Sequence, residues 1–402
     1  MTTESNHLSR PVRIPKTIPA DWCFKELISC CRPKQWPTLA KTDFSDNGYP
    51  VYGANGFIGF YSTYTHDIDV IAIGCRGTCG TIQKIPGKSY INGNAMVLEN
   101  VDETIVIKSF LYHALSYRNV SDAVTGSAQP QITRYSLRRV KFPHPHIKEQ
   151  EAIARVLDAA DTVIEQTREV AERARALKTS LIADAFERIG GTQKRLGEYI
   201  IDIRYGTSQA ANERGWGNPT LRIPNVIADD ISFNDLTYVD TKPADIERLK
   251  LQDGDLLLVR TNGNPNYVGR SAVFKKPDHR TWLFASYLIR VRLDGRLNPD
   301  YVNIFLGKDH GRCELLRRVT TSAGNHNINA NSIRLIKLPV PESKDDQREV
   351  IEIAGKSRAY VNSIVKKLGA LEQLKKGLMH DLLTGKVRVN HAIDKILSSE
   401  AS

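Results

Sequence analysis

Two stretches of this chain resemble each other closely enough to decide its architecture. Residues 132–145 read ITRYSLRRVKFPHP, and residues 328–341 read INANSIRLIKLPVP. At an offset of 196 positions, a serine, an arginine, a lysine and both prolines of the first stretch recur in the second. After one inserted residue the offset becomes 197, and Gln150 then aligns with Gln347. The chain is therefore an internal repeat of two halves.

Each half ends in a segment with the apolar spacing of a coiled-coil helix. Apolar or small residues recur at alternating steps of four and three, and the two series match at the offset of 197. The first series is Ile153, Leu157, Ala160, Ile164, Thr167, Ala171 and Ala174, and the second is Val350, Ala354, Ser357, Val361, Ile364, Leu368 and Leu371. Because the first series is rich in alanine and the second in larger side chains, we predict that the two helices pair with one another.

The segments ahead of these helices have the composition of small α/β domains. Short apolar runs at 68–73 and 255–259 are followed by polar, glycine-rich turns. We therefore predict a mixed α/β fold: two lobes separated by two long, paired coiled-coil helices, with an internal pseudo-twofold repeat. The expected organisation is an N-terminal tail at 1–19, a first lobe at 20–146, a helix at 147–190, a second lobe at 191–341, a second helix at 342–389 and a C-terminal tail at 390–402.

Composition narrows the class of protein. With 402 residues, 41% of them hydrophobic and 25% charged, the chain is long enough for two or more domains. It has no apolar run of the length of a membrane span and no apolar leader, so we expect a cytoplasmic protein with no membrane contact. The six cysteines include no C-x-x-C pair and lie beside no histidine at metal-ligand spacing, so we expect neither disulfides nor a bound metal.

The distribution of charge favours a polyanionic partner. The net charge is +11, and it is concentrated in the two segments expected to form lobes. Residues 1–146 carry +5 and residues 191–341 carry +6, whereas the helix between them carries −2. Two basic lobes on a nearly neutral spacer indicate two anion-binding surfaces.

The motifs of the chain resemble one protein family over nearly its whole length. They are YGANGFIG at 52–59, the turn from Gly74 to Gly80, GSAQPQI at 126–132, Pro143-x-Pro145 with Glu149-Gln150, and LLTGKV at 382–387. With the repeat, they are similar to the DNA-specificity subunit of type I restriction-modification systems. This resemblance implies two target-recognition lobes separated by two long antiparallel coiled-coil helices. The second half has SAGNHNI at 322–328 where the first has SAQPQ at 127–131, so the two lobes are expected to read different sequences.

The resemblance implies a non-catalytic, sequence-specific DNA-binding subunit. Each lobe would be a target-recognition domain that reads one half of a bipartite asymmetric site in double-stranded DNA. The helices would dock two modification (methyltransferase) subunits, which carry S-adenosylmethionine and methylate adenine, and restriction (endonuclease/translocase) subunits would join the complex. The chain itself would need no cofactor.

Candidate base-reading residues are those with paired hydrogen-bonding groups, since arginine suits guanine and asparagine or glutamine suits adenine. The candidates in the second lobe are Arg260, Asn262, Asn264, Asn266, Tyr267 and Arg270, with Asn325, His326 and Asn327 in the loop before the helix. Those in the first lobe are Arg76, Thr78, Gln83 and Lys84, with Gln129, Gln131 and Arg134 before the helix. The alternative for each asparagine is a turn-forming role, because asparagine side chains readily bond their own backbone.

Two other classes of function compete with DNA recognition. A self-contained DNA adenine methyltransferase or nuclease would need catalytic motifs, and NPNY at 264–267 only approximates the methyltransferase N-P-P-Y tetrad, without a glycine-rich cofactor loop. Gly87-Lys88-Ser89 ends like a phosphate-binding loop, but Ile82 stands where its first glycine is required. A two-lobed protein adaptor would not need a positive excess on both lobes. The sequence therefore favours a DNA binder over a catalyst.

Overall fold

The computed structural model describes Arg13, Pro15 and residues 17–126, 128–227, 230–322 and 324–389. Most of the expected tails, 1–19 and 390–402, and the loop residues Ser127 and Ala323 lie outside this part. The chain divides into two compact units. Unit 1 comprises residues 1–169 and 366–402, and unit 2 comprises residues 170–365. The division falls within both long helices, so each unit contains one lobe and a part of each helix.

Unit 1 contains eleven strands and one lobe helix within the described residues. The strands are β1 (Cys23–Glu26), β2 (Arg32–Gln35), β3 (Tyr49–Gly53), β4 (Gly56–Tyr61), β5 (Val70–Gly74), β6 (Ile82–Ile85), β7 (Tyr90–Ile91), β8 (Ala95–Glu99), β9 (Val124–Thr125), β10 (Gln131–Ile132) and β11 (Lys141–His144), and the lobe helix is α1 (Lys108–Arg118). The first long helix, α2 (Ile147–Ile189), begins here directly after β11.

Unit 2 repeats this plan with insertions. Its strands are β12 (Thr192–Arg195), β13 (Ile200–Tyr205), β14 (Asn218–Leu221), β15 (Val226–Ile227), β16 (Asp230–Ile231), β17 (Thr237–Val239), β18 (Leu256–Val259), β19 (Thr261–Asn262), β20 (Ser271–Val273), β21 (Leu283–Phe284), β22 (Leu288–Leu293), β23 (Thr320–Ser322), β24 (Asn325–Asn327) and β25 (Lys337–Val340). Its lobe helices are α3 (Pro243–Leu249), α4 (Pro299–Leu306), α5 (Asp309–Leu316) and α6 (Ala330–Arg334), and the second long helix, α7 (Lys344–Leu383), follows.

Three sheets recur in the two units and confirm the internal repeat. The four-stranded antiparallel sheet has the order β2-β8-β5-β6 in unit 1 and β13-β22-β18-β20 in unit 2. A three-stranded sheet has the order β4-β3-β7 in one and β17-β14-β21 in the other, with one parallel pair in each. The pairs β1-β11 and β12-β25 also match, since Cys23 faces His144 and Thr192 faces Val340.

The central strand of each lobe is buried on both faces, which explains its continuous apolar sequence. In unit 2, Leu256 and Leu258 of β18 belong to the core cluster on one face, and Leu257 and Val259 belong to the cluster on the other. In β5 of unit 1, Ile71 and Ile73 alternate with Val70 and Ala72 in the same way. Alternate side chains of a strand point to opposite faces, so one strand joins two cores.

A buried glutamine on each long helix fixes the lobe helix to it. Gln150 Oε1 accepts the backbone N–H of Ile107, just before α1, at 3.0 Å. Gln347 Oε1 accepts the N–H of Asn298, just before α4, at 2.8 Å. These are the glutamines that the repeat aligned in the sequence, and each satisfies a donor at a helix N-terminus that has no partner within its own helix.

The two long helices pair in antiparallel orientation within each unit. In unit 1, Ile153 and Leu157 near the start of α2 share a core cluster with Leu382 and Leu383 at the end of α7. In unit 2, the end of α2 packs against the start of α7 through Ile182, Ala185, Val350 and Ala354. All fourteen residues of the predicted seam are buried or half-buried, and Ala171, Ala174, Val361 and Ile364 form a contact cluster of their own.

Helix α7 ends at Leu383, before the expected end of its segment at 389. Gly385 has φ +71°, a left-handed conformation that stops a helix. A Cβ added at Gly385 would lie 2.5 Å from Cγ of Pro19, so the chain turns where the N-terminal segment lies against it. Arg388 then binds Asp21 at 2.6 Å and Glu149 at 2.6 Å. Within the described residues, no helix combines the length and apolar composition required to span a bilayer.

Candidate nucleic-acid interface

The structure brings the two candidate loops of the second lobe together. The loop that follows β18 begins with β19, and β19 pairs with β24 in the loop before α6. In this pairing Thr261 faces Asn327 and Asn262 faces His326. Candidates separated by more than sixty residues in the sequence therefore lie side by side.

The first lobe joins its two candidate loops at the corresponding position. Arg76 forms an isolated antiparallel bridge with Gln131. The N–H of Ile132 donates to the carbonyl of Cys75 at 3.0 Å, and the N–H of Ile328 donates to the carbonyl of Arg260 at 2.9 Å. Ile132 and Ile328 open the stretches that revealed the repeat, so the same main-chain bond assembles a cluster of polar side chains in each lobe.

Arg260 lies over an aromatic ring at the start of its loop. Its guanidinium carbon is 4.6 Å from the centroid of Tyr205, and Nη1 donates to the carbonyl of Ser286 at 3.4 Å. Arg270, at the end of the loop, lies 4.1 Å over the ring of Tyr267. Stacking fixes the plane of a guanidinium and leaves its edge for bidentate hydrogen bonds, the geometry by which arginine reads guanine.

Two of the candidate asparagines shape the loop. Asn262 Oδ1 accepts the N–H of Asn264 at 2.9 Å, and Asn264 Oδ1 accepts the N–H of Asn266 at 3.0 Å. In these contacts the asparagines take the turn-forming role that the sequence analysis gave as the alternative to base reading. They use only the side-chain oxygens, so the exposed Asn264 keeps its amide donors toward solvent.

Helix α5 packs against the loop from Arg260 to Arg270 and binds its backbone. Arg312 donates through Nη1 to the carbonyl of Val268 at 2.5 Å and through Nη2 to the carbonyl of Pro265 at 2.6 Å. Gly269 has φ +73°, and a Cβ there would lie 2.3 Å from Leu315. Burial, and after it the charge of Arg270, lowers the pKa of Arg312.

Sequence reasoning missed Arg312 and Tyr205, although both shape this cluster. Tyr205 carries the ring under Arg260, and its hydroxyl accepts the N–H of Ala330 at 3.1 Å. Both residues lie far from the loop in sequence, so local patterns gave no signal for them.

The candidates in the loop before α6 contact one another and the neighbouring strand. His326 contacts Thr321 Oγ1 through Nδ1 at 3.1 Å, and Asn327 donates to the carbonyl of Asn325 at 3.2 Å.

The candidates of the first lobe divide into two groups. Four are exposed in the joined loops, namely Arg76, Gln129, Gln131 and Arg134, and Thr78 beside them is half-buried. Gln83 is directed elsewhere, because Nε2 donates to the carbonyls of Gly53 and Ala54 at 2.9 and 3.1 Å. Lys84 Nζ lies 3.8 Å from Asp158 of α2.

Asp158 belongs to a cluster with the ligand types of a metal site. His113, Asp158 and Asp161 offer ligand atoms within 4.8 Å of one another. Two lysines already contact this cluster, since Lys375 pairs with Asp161 and Lys84 lies by Asp158. The cluster is thus an ion-pair network in which the positive charges come from side chains, and it joins α1 to the long helices of unit 1.

Comparisons with known proteins match this architecture. Residues 19–173 match the family described as type I restriction modification DNA specificity domain. The EcoKI specificity subunit of Escherichia coli K12 is 28% identical over 66% of this chain and 62% of its own length. The StySPI specificity subunit of Salmonella potsdam is 24% identical over 63% of this chain and 58% of its own length. This chain thus spans about three fifths of these curated relatives.

Two solved structures share the fold. The type I restriction-modification S subunit from M. genitalium superimposes with a TM-score of 0.60 at 16% identity, over 92% of this chain and 98% of that one. A chain from a study of complex assembly and conformational transition of the type I system gives a TM-score of 0.53 at 15% identity, over 93% of this chain and 100% of that one. Residues 19–173 therefore match a type I restriction modification DNA specificity domain, and the chain over most of its length is similar to the specificity subunits of type I restriction-modification systems.

Proposed function

We propose that the chain is the DNA-reading subunit of a type I restriction-modification complex, in which each lobe reads one half of a bipartite asymmetric site. The observation that carries this proposal is the joined pair of loops in each lobe. The same main-chain bond, made by Ile132 in one lobe and Ile328 in the other, gathers exposed arginine, glutamine and asparagine side chains. The net charges of both lobe segments are positive, as binding to DNA phosphates requires.

The two clusters differ in chemistry, and we infer that their half-sites differ too. The proposed base-reading residues of lobe 1 are Arg76, Thr78, Gln129, Gln131 and Arg134, and those of lobe 2 are Arg260, Asn262, Asn264, Asn266, Tyr267, Arg270, Asn325, His326 and Asn327. Gln83 and Lys84 have structural contacts instead, and we assign them to support of the lobe.

We propose two modification subunits as partners, docked on the long helices, with S-adenosylmethionine bound there and not on this chain. Restriction subunits complete the proposed complex, which would act on DNA in the cytoplasm. The proposed boundaries keep the lobes at 20–146 and 191–341. A self-contained methyltransferase gains no support, because NPNY at 264–267 departs from the N-P-P-Y tetrad and no glycine-rich cofactor loop accompanies it in the sequence. A self-contained nuclease gains none either, because the described residues of the joined loops include no nucleophile held by a base and an orienting group.

The experiment that tests the proposal is competition binding of the assembled complex to its duplex site. Arg260→Ala should weaken discrimination in one half-site by about 1–3 kcal/mol and leave the other unchanged. Arg248→Ala is the matched control, since Arg248 is an exposed arginine of the same lobe that pairs with Asp245 outside the cluster. Equal losses in both half-sites for Arg260→Ala would contradict the assignment of one lobe to one half-site.

A further inference from the structure

A large cavity in unit 2 has no part in the proposed DNA interface. Its volume is about 800 Å³, and it lies where the end of α2 faces α4 and α5. Ala183 and Phe186 of α2 and Phe305 of α4 form apolar walls, and Lys308 lines it between α4 and α5. The linker Gly190–Gly191, between α2 and β12, also lines the cavity and adds no side chain.

Unit 1 has an equivalent place, which the repeat identifies. Helix α7 repeats α2, so Ala183 corresponds to His380 at the offset of 197. Gln150 and Gln347 bind the residues just before α1 and α4, which are Ile107 and Asn298. Counted from these two residues, Tyr117 and Lys308 occupy equivalent positions. Both residues reach the neighbouring long helix: Tyr117 Oη lies 2.8 Å from Nδ1 of His380, and Lys308 Nζ donates to the carbonyl of Thr179.

In unit 1 the chain's own N-terminal segment lies at this place and, with Tyr117 and His380, lines the cavity of about 620 Å³ that remains there. The N–H of Arg13 donates to the carbonyl of Arg118 at 3.0 Å, and its guanidinium lies 5.7 Å over the ring of Tyr117. Ile18 packs against the core cluster of unit 1. Trp22 is only 6% exposed, and its indole N–H donates to Glu149 at 3.0 Å.

In unit 2, no segment among the described residues occupies the equivalent position. Strands β1 and β12 occupy equivalent positions, so Cys23 corresponds to Thr192 and Trp22 to Gly191. In unit 1 a separate segment leads into β1, whereas in unit 2 the strand follows α2 after two glycines. The side chain that Trp22 supplies in unit 1 therefore has no counterpart from Gly191.

We propose that the cavity of unit 2 receives an extended segment of a partner protein with the chemistry of residues 13–22. Such a segment carries a β-branched residue beside proline, followed by an aromatic residue, as in Ile18, Pro19 and Trp22. The two phenylalanines of the cavity provide the apolar contact for these side chains. Proline keeps the segment extended before it binds, which reduces the conformational entropy lost on binding.

The test is a titration of the full chain with a fluorescent peptide of residues 13–22, followed by anisotropy. We expect saturable binding, about tenfold weaker for the variant Ala183→Trp, which fills the cavity from an exposed helix position, and for a peptide with Trp22→Ala. Glu172→Trp, an exposed position of α2 outside the cavity, is the control and should bind as wild type. No saturation up to about 1 mM peptide, or equal affinity for Ala183→Trp, would overturn the proposal.

If Ala183→Trp does not fold, a second variant with a predicted gain of affinity tests the same proposal. Lys308→Tyr recreates the ring of Tyr117 and removes an ammonium group, so it should bind the peptide about threefold more tightly through Arg13; unchanged affinity counts against the proposal. Sedimentation of the chain alone distinguishes a separate partner from a second copy. A monomer supports the partner, whereas a dimer whose contact Ala183→Trp or Lys308→Tyr alters would overturn it.

Discussion

At the scale of single residues, arginines are used here in two different ways. Arg260 and Arg270 lie over aromatic rings at the surface of the second lobe, where their edges are available to a ligand. Arg290 and Arg312 instead bind backbone carbonyls or carboxylates within the fold. Arg312 holds the loop on which Arg260 and Arg270 are presented, whereas Arg290 joins strands of the sheet behind it.

Arg290 is only 2% exposed, and its partner is Asp202. Asp202→Asn removes the compensating charge from a buried guanidinium, so we expect the free energy of unfolding to fall by about 3 kcal/mol. Urea denaturation at neutral pH measures this loss. Asp240→Asn, at an exposed aspartate of the same lobe, serves as the control and should change stability by less than about 0.5 kcal/mol. A loss as small for Asp202→Asn would contradict the importance of the pair.

The same pair predicts a pH dependence. Burial alone would raise the pKa of Asp202, but hydrogen bonds from Arg290 and Arg204 outweigh it, and the pKa is lowered. A carboxylate whose folded pKa is lowered stabilises the fold above its unfolded pKa of about 3.9, and this contribution is lost as the pH falls through the folded pKa. The stability difference between wild type and Asp202→Asn should therefore narrow below about pH 4. A stability difference between wild type and Asp202→Asn that increases as the pH falls would contradict the lowered pKa of Asp202.

Arg312 lies outside the loop, but we expect it to affect discrimination between DNA sequences because it fixes the loop backbone. Arg312→Met keeps the aliphatic contacts but releases the carbonyls of Val268 and Pro265, so we expect discrimination at one half-site to fall by about 1 kcal/mol. Competition binding of the assembled complex measures it. Arg317→Met, at a position 77% exposed, is the matched control. If both variants discriminate like wild type, the loop does not depend on this clamp.

At the scale of elements, the helices and the central strands could be predicted because their signals are periodic. The seam from Ile153 to Ala174 and its repeat predicted that the two long helices pair, and the apolar runs located β5 and β18. Helix α7 ends before the expected residue 389: Gly385 is a local stop signal, but its contact with Pro19 joins opposite ends of the sequence, which no local pattern indicates. The contacts of Gln83 and Arg312 were missed for the same reason, since both bind backbone carbonyls of distant segments.

The seam should tolerate little added volume. Ala171 is fully buried and contacts Ala174, Val361 and Ile364. Ala171→Leu should destabilise the chain by about 1–3 kcal/mol, because overpacking forces the helices apart. Thermal denaturation compares it with Glu172→Leu, at the adjacent exposed position. Equal melting temperatures would show that the helices are not closely packed at this point.

At the scale of the whole molecule, the proposed function assigns recognition to this chain and leaves the chemistry to its proposed partners. Each unit carries one lobe with its own pair of joined loops, and the sequence has no glycine-rich loop of the kind that binds S-adenosylmethionine. We therefore expect the purified chain not to bind S-adenosylmethionine, and calorimetric titration measures this directly. Stoichiometric binding of the cofactor to the isolated chain would revive the methyltransferase alternative.

The central claim is that each lobe reads its own half of a bipartite DNA site. The most direct measurement is a map of methylated adenines in DNA from cells that carry the intact system, compared with cells in which residues 260–270 have been replaced by a loop of different sequence. We expect a bipartite motif in which one half changes and the other half and the spacing stay the same. A motif that changes in both halves, or one that the replacement leaves unaltered while methylation continues, would contradict it.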